Sequence, residues 1–322
     1  MRSIAAFKAI QRDLESVEKQ LLDEVKSPYP LLAESASHLV LAGGKRLRPA
    51  LVLLGGKFNH YSLERLKPLA VSVEMVHMAT LVHDDVIDDA ATRRGVATVK
   101  TRWGDQVSIN TGDFLFGRSL VLAASYANPA IFDLFAYVSA EMCRGEIQQT
   151  ATMFQYGQSI RDYFYRIKRK TALLIAASCQ LGAMASGASE QVVSRLGRFG
   201  HYMGMAFQIK DDVLDFVADQ KKLGKPVGGD LAEGILTLPA IHALKTSPER
   251  QLLAEMIAGR ASSAQELEAM VQIIKDSASL DYSMWIARRY VEKAKEQIRQ
   301  LPDVPPKKAL AEVAEFVMER NF

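Results

Sequence analysis

Apolar residues return every three or four positions along nearly the whole chain, which is the interval of one face of an α-helix. Leu14, Val17, Leu21, Leu22 and Val25 mark the inward stripe of an amphipathic first helix that stops near Pro28 and Pro30. Alternating β-branched runs bounded by tight turns are almost absent. Breaks fall at Gly43-Gly44, Gly55-Gly56, Asn128-Pro129, the stretch 224–229, Ser247-Pro248 and 302–306. No short tandem repeat and no low-complexity linker interrupts the pattern. It predicts an all-α fold, with residues 1–322 forming a single domain of roughly ten or more helices.

Composition narrows this picture. The chain has 322 residues, 48% of them hydrophobic, enough to bury a large core. A net charge of +3 sets up no basic field, so nucleic acid is not expected as a partner. Two cysteines, Cys143 and Cys179, make neither a disulfide framework nor a zinc site and read as free, inert thiols in a reducing compartment. Lys8 and Arg12 break the N-terminal apolar stretch too early for a signal peptide. Residues 171–189 are uncharged and long enough to span a bilayer. Thr171, Ser178, Gln180, Ser186 and interspersed glycines lower their hydrophobicity, so a buried central helix is expected there instead.

One sequence echo carries chemistry. Residues 83–88 read His-Asp-Asp-Val-Ile-Asp and residues 210–215 read Lys-Asp-Asp-Val-Leu-Asp. On a helix, Asp84 stacks over Asp88 with Asp85 at the flank, and Asp211 over Asp215 with Asp212 at the flank. Like charges at that spacing weaken a helix unless something offsets them. A hard divalent cation does so, and oxygen-only ligands favour magnesium or calcium over zinc. A lone motif of this kind reads best as a solvated acidic face. Two near-identical copies, set among Leu81, Val82, Val86 and Ile87 and among Phe207, Ile209, Val213, Leu214 and Phe216, do not.

Basic clusters supply the other half. They are Gly43-Gly44-Lys45-Arg46-Leu47-Arg48-Pro49, Arg93-Arg94-Gly95, Lys168-Arg169-Lys170-Thr171, and Lys221 to Lys225 with Gly228-Gly229-Asp230. Each alone is an ordinary surface patch. Together they suit phosphate, with arginine giving bidentate contacts and lysine point charge. The loop after the second acidic motif could close over a phosphate as a lid. No P-loop is present.

The ordered set GGKRLRP (43–49), EMVHMATLVHDDVIDD (74–89), RRG (93–95), KT (170–171), FQIKDDVLD (207–215) and GKPVGGD (224–230) resembles the trans-prenyl diphosphate synthases. Within that family the likeness is strongest to the large, catalytic component (component II) of bacterial two-component heptaprenyl diphosphate synthases, above all at RIKRKTALLIAASCQLGAMASGAS. The resemblance implies mostly antiparallel helices around a deep central cavity, with the acidic motifs facing each other at its mouth. It implies a cytoplasmic, magnesium-dependent enzyme with up to three metal ions per active site. An allylic diphosphate ionises, isopentenyl diphosphate attacks the cation, and proton loss leaves a chain five carbons longer, destined for quinone (menaquinone) side chains.

Carried over by position, Asp84, Asp85, Asp88, Asp211 and Asp215 hold magnesium, with Asp212 close by. Arg93, Lys170, Gln208 and Lys225 contact the allylic diphosphate; Lys45, Arg48, His77 and Arg94 hold isopentenyl diphosphate; Thr171 and Gln208 steady the cation. His77 alone would read as a core histidine, but it lies two turns before Asp84 on the same face. Gln208 alone would read as a satisfied core amide. Small residues at Ala79 and Thr80, where short-product enzymes carry bulky aromatics, leave room for a medium or long product. The segment GILTLP (234–239) departs from the family pattern, with Ile235 where many members have lysine, which puts one diphosphate contact in doubt.

A smaller helical partner (component I), a homodimer, or both are implied, with peripheral membrane contact aiding release of a greasy product. Two alternatives share the fold. A terpene cyclase would carry a differently composed second motif, and a non-catalytic regulatory subunit would carry degraded aspartates.

Overall fold

The computed structural model describes residues 5–217, 227–260 and 263–320. The expected all-α fold is what forms: helix follows helix, and the strands among the described residues are two residues long. The first helices are α1 (Gln11–Glu24), α2 (Pro30–Leu41), α3 (Leu47–Gly56) and α4 (Leu63–Ile87). Pro30 does more than stop the first helix. It opens α2 as its first residue, where the missing N–H costs nothing. Two compact units are resolved, interleaved along the chain. One comprises the described parts of 1–139, 177–197 and 301–310; the other comprises those of 140–176, 198–300 and 311–322.

In the first unit α4 is the central element. Ser62 caps it by accepting from the Arg65 N–H. Apolar residues then bury it on nearly every side, from Leu66 to Val82, which is the mark of a core helix rather than a surface one. It packs on α6 (Asp105–Ala124), where the buried Ser72 hydroxyl donates to the Ser119 carbonyl at 2.8 Å. Two-residue strands β1 (Thr92–Arg93) and β2 (Val96–Ala97) follow α4, and α5 (Val99–Trp103) leads from them to α6. Arg94 and Gly95 between the strands both have positive φ, as a two-residue hairpin turn of this twist requires.

The uncharged segment from Thr171 does become a buried helix, and no described helix is long and apolar enough to cross a membrane. Its α9 (Leu173–Ala185) reaches α3 so closely that a Cβ on Gly182 would sit 2.0 Å from the Val52 carbonyl oxygen. Gly182 is therefore a contact point between backbones rather than punctuation. Cys179 is buried on this helix, where desolvation pushes its thiol far up, and Cys143 is exposed on α7 (Pro129–Ala151); both are free.

The second unit packs α8 (Ile160–Ile167), the later part of α10 (Glu190–Val217) and the C-terminal helices around Tyr163, Ile209, Phe216, Leu236, Leu253 and Ile274. A reciprocal capping box between Ser159 and Asp162 starts α8. The chain then runs into α9 through a π-helical turn at Lys168–Ala172.

Candidate active site

The first acidic motif closes α4. Asp84 lies in the last turn, and Asp88 is the C-cap, its N–H donating to the Asp84 carbonyl at 2.8 Å. Helix C-termini carry partial negative charge, and no basic residue stands in this last turn. Three carboxylates here are a poor choice for stability alone, and a bound cation would relieve them. Asp85, which periodicity puts at the flank of the motif, is buried. It is 1% exposed and accepts from Arg93 Nε at 2.5 Å. Arg93, expected to contact the allylic diphosphate, is thus held against the motif's own middle aspartate.

Beside this motif the residues expected to hold isopentenyl diphosphate partly converge. Gly44 has no side chain to obstruct Arg94: a Cβ there would lie 2.8 Å from Arg94 Nη1. The hairpin turn therefore closes on the loop that carries Lys45 and leads into Arg48 in the first turn of α3. His77 is held neutral, first by burial and then by Arg48, Arg94, Arg93 and Arg46 around it. Lys45 is exposed. Arg46 serves the fold. In a left-handed conformation it donates to Glu74 at 3.0 Å and to the Val40 carbonyl at 3.0 Å, both ions buried. Removing one partner of such a pair strands the other's charge.

The second motif lies near the end of α10, and its three aspartates have different partners. Asp211 pairs with Arg320 Nη1 at 2.5 Å, and that guanidinium also lies 3.7 Å over the Phe207 ring. Asp212 is buried; it accepts from the Tyr163 hydroxyl at 2.6 Å and from Gln208 Nε2 at 2.9 Å. The Gln208 amide oxygen in turn accepts from Thr171 at 2.6 Å, so Thr171 and Gln208 form one chain of hydrogen bonds anchored on Asp212. Asp215 accepts from the Gly229 and Asp230 N–H groups at 3.2 and 3.3 Å.

Burial, and then the charge of Asp230, push Asp212 and Asp215 up to about 7. Too many buried carboxylates with too little positive charge is the deficit that a divalent cation fills, and an all-oxygen donor set suits magnesium. Among the described residues no three His, Cys, Asp or Glu side chains form a ready cage.

These shifts set a pH dependence. Between about pH 4 and 7 the folded chain keeps protons that the unfolded chain has released, so stability falls as pH rises through that window. Asp212→Asn removes the buried charge. In metal-free protein it should raise Tm at pH 8 by roughly 2–4 °C for each kcal/mol relieved, and the gain should vanish near pH 5. Thermal melts at the two pH values check this, and an equal shift at both would refute the assignment.

Lys170 and Thr171 fall within the π-helical turn. A π turn re-aims side chains within a helix and is concentrated at functional sites. Here Lys170 Nζ lies 3.0 Å from Glu146 Oε1. Lys225 lies outside the described residues. Ile235, the departure from the family pattern, donates its N–H to the Asp230 carbonyl at 2.8 Å, so the loop keeps its backbone anchor without the lysine. Tyr163, Asp230 and Arg320 join the second motif unannounced by any motif of their own. Only Asp230, inside the glycine-rich segment after it, sits where the sequence drew attention.

Comparison with known proteins places this geometry in context. The family model for polyprenyl synthetases matches residues 29–274. Heptaprenyl diphosphate synthase component 2 of Geobacillus stearothermophilus is 45% identical over 322 residues, covering 100% of both chains. The protein of the same name from Bacillus subtilis (strain 168) is 42% identical, covering 100% of this chain and 92% of the other. The crystal structure of heptaprenyl diphosphate synthase from Staphylococcus aureus matches with a TM-score of 0.94 at 39% identity, over 97% of this chain and 99% of that one. A polyprenyl synthase from Caulobacter crescentus CB15, complexed with calcium and isoprenyl diphosphate, also matches with a TM-score of 0.94, at 31% identity over 98% and 97% of the two chains. Matched by the family model over most of its length, and by these relatives and folds over nearly all of it, the chain belongs to the polyprenyl synthetase family.

Proposed function

We propose that the chain is the catalytic component of a two-component heptaprenyl diphosphate synthase, extending an allylic diphosphate with isopentenyl diphosphate. The observation that carries this reading is the end-to-end likeness to two proteins named as component 2 of such an enzyme. The intact pair of acidic motifs supports turnover by this chain rather than a regulatory role. Both alternatives, a terpene cyclase and a non-catalytic subunit, lose ground to those relatives.

In this reading Asp84, Asp85, Asp88, Asp211 and Asp215 hold magnesium, up to three ions per active site, with Asp212 close by. When bound, the metal supplies Lewis-acid stabilisation of the leaving diphosphate. Lys170, Lys225 and Arg93 share the charge that develops there. Thr171 and Gln208, oriented by Asp212, point their dipoles at the allylic cation. Arg48, Arg94, Lys45 and neutral His77 orient isopentenyl diphosphate so that its double bond attacks C1 of that cation. The new C–C bond leaves a tertiary cation, and loss of a proton restores a double bond, giving an allylic diphosphate longer by five carbons. No side chain need act as a nucleophile. The chain works as one catalytic domain in the cytoplasm, with a smaller helical component I, as a homodimer, or in both arrangements, and its product serves quinone side chains.

Sizing products from radiolabelled isopentenyl diphosphate tests this, with the smaller component present and absent. The chain alone should give little or no product, and the pair a heptaprenyl chain. Full-length product from the chain alone would overturn the two-component reading. A cyclic hydrocarbon from allylic diphosphate alone would overturn the synthase reading.

A further inference from the structure

The second unit carries another basic surface, apart from the acidic motifs. A hollow of about 420 Å³ opens between α8, α10 and the helix Ser279–Arg299. Its floor is aromatic: Phe164 and Tyr290 meet edge to face with centroids 5.9 Å apart, and Tyr165 borders them, half exposed. Its rim is basic. Arg161 and Lys168 line it, and Lys293 lies 5.2 Å from the Tyr290 ring centroid. None of the described residues lining it is a carboxylate. On the helix Ser279–Arg299 the composition continues outward, with Arg289 over the half-exposed Trp285 at 4.8 Å.

An aromatic floor under a carboxylate-free cationic rim selects a ligand with an apolar body and an anionic head. The volume is that of a small-molecule pocket. Tyrosine and tryptophan among lysines and arginines is also the composition that settles at a bilayer interface. We propose that this hollow seats the head of an anionic phospholipid and so docks the second unit on a membrane surface. The purpose, though not the binding, rests on the prenyl synthase reading: a product that grows by apolar five-carbon steps leaves water more readily into lipid.

The test is co-flotation of the full chain with phosphatidylcholine vesicles, with and without phosphatidylglycerol, in the absence of substrate. The chain should float with the anionic vesicles only, and added salt should weaken the association. The double variant Arg161→Glu, Lys293→Glu, which touches none of the proposed catalytic residues, should bind roughly tenfold or more weakly. With the smaller component added, it should keep wild-type turnover in detergent. Equal binding to pure phosphatidylcholine, or undiminished binding by the variant, would overturn the proposal. Because flotation is read without turnover, its failure leaves the prenyl synthase reading standing. An inactive chain likewise leaves the flotation result standing.

Discussion

Asp84→Asn should cut kcat by about 10²–10³-fold or more, the scale of losing one preorganised electrostatic contact to a leaving group, while leaving the protein folded. The carboxylate stands in the last turn of α4, at the negative end of a 25-residue helix, with no basic residue in that turn. Asp85→Asn, one residue on, should behave differently. It breaks a part-buried ion pair with Arg93, whose carboxylate end is 1% exposed, a loss of about 1.5–3 kcal/mol for a hydrogen bond to a charged group. Steady-state incorporation of labelled isopentenyl diphosphate and thermal melts, run on both variants, separate the two roles. Less than a tenfold loss in Asp84→Asn would remove that residue from the metal set.

Ala79→Phe should shorten the product, the chain ending after fewer additions because an aromatic ring closes the space its tail would enter. Ala79 is 2% exposed on α4, just over a turn before Asp84, and Thr80 beside it has spent its hydroxyl on the His77 carbonyl at 2.9 Å. A residue that faces room for a tail accepts a larger side chain with little change in Tm. A residue packed against neighbours does not, and overfilling there costs about 1–3 kcal/mol. Product sizing and melting curves are therefore read together, with Ala79→Leu as a milder step. Unchanged product length in a stably folded variant would sink the proposal.

How far the site could be read along the chain differs from residue to residue. The two acidic motifs stand out because their members are neighbours in sequence, and a helix converts a four-residue interval into a shared face. The long buried α9 was legible for a similar reason, since absence of charge over many residues is a local property. The partners of the motifs were not. Tyr163 reaches Asp212 from α8 and Arg320 reaches Asp211 from just past the helix Pro305–Glu319, and nothing in their own neighbourhoods says that a carboxylate awaits them. Asp85 shows the limit within a single motif. Periodicity puts it at the flank, but only the hairpin that returns Arg93 to it makes burial affordable. The same holds for GGKRLRP. Three cations look alike in sequence, and the fold sends Arg46 inward to Glu74 while Lys45 stays exposed.

The repeated aspartates, the helical period and the family of this protein were thus decided by sequence alone, because each depends on residues a few positions apart or on their order. Which partner each carboxylate meets, a tyrosine, an arginine or a backbone N–H, was decided by the tertiary structure. The physical reason is that burial sets the cost of a charge. That burial pushes Asp212 up, and that Asp85 meets Arg93 at 1% exposure, both depend on surroundings that only folding supplies.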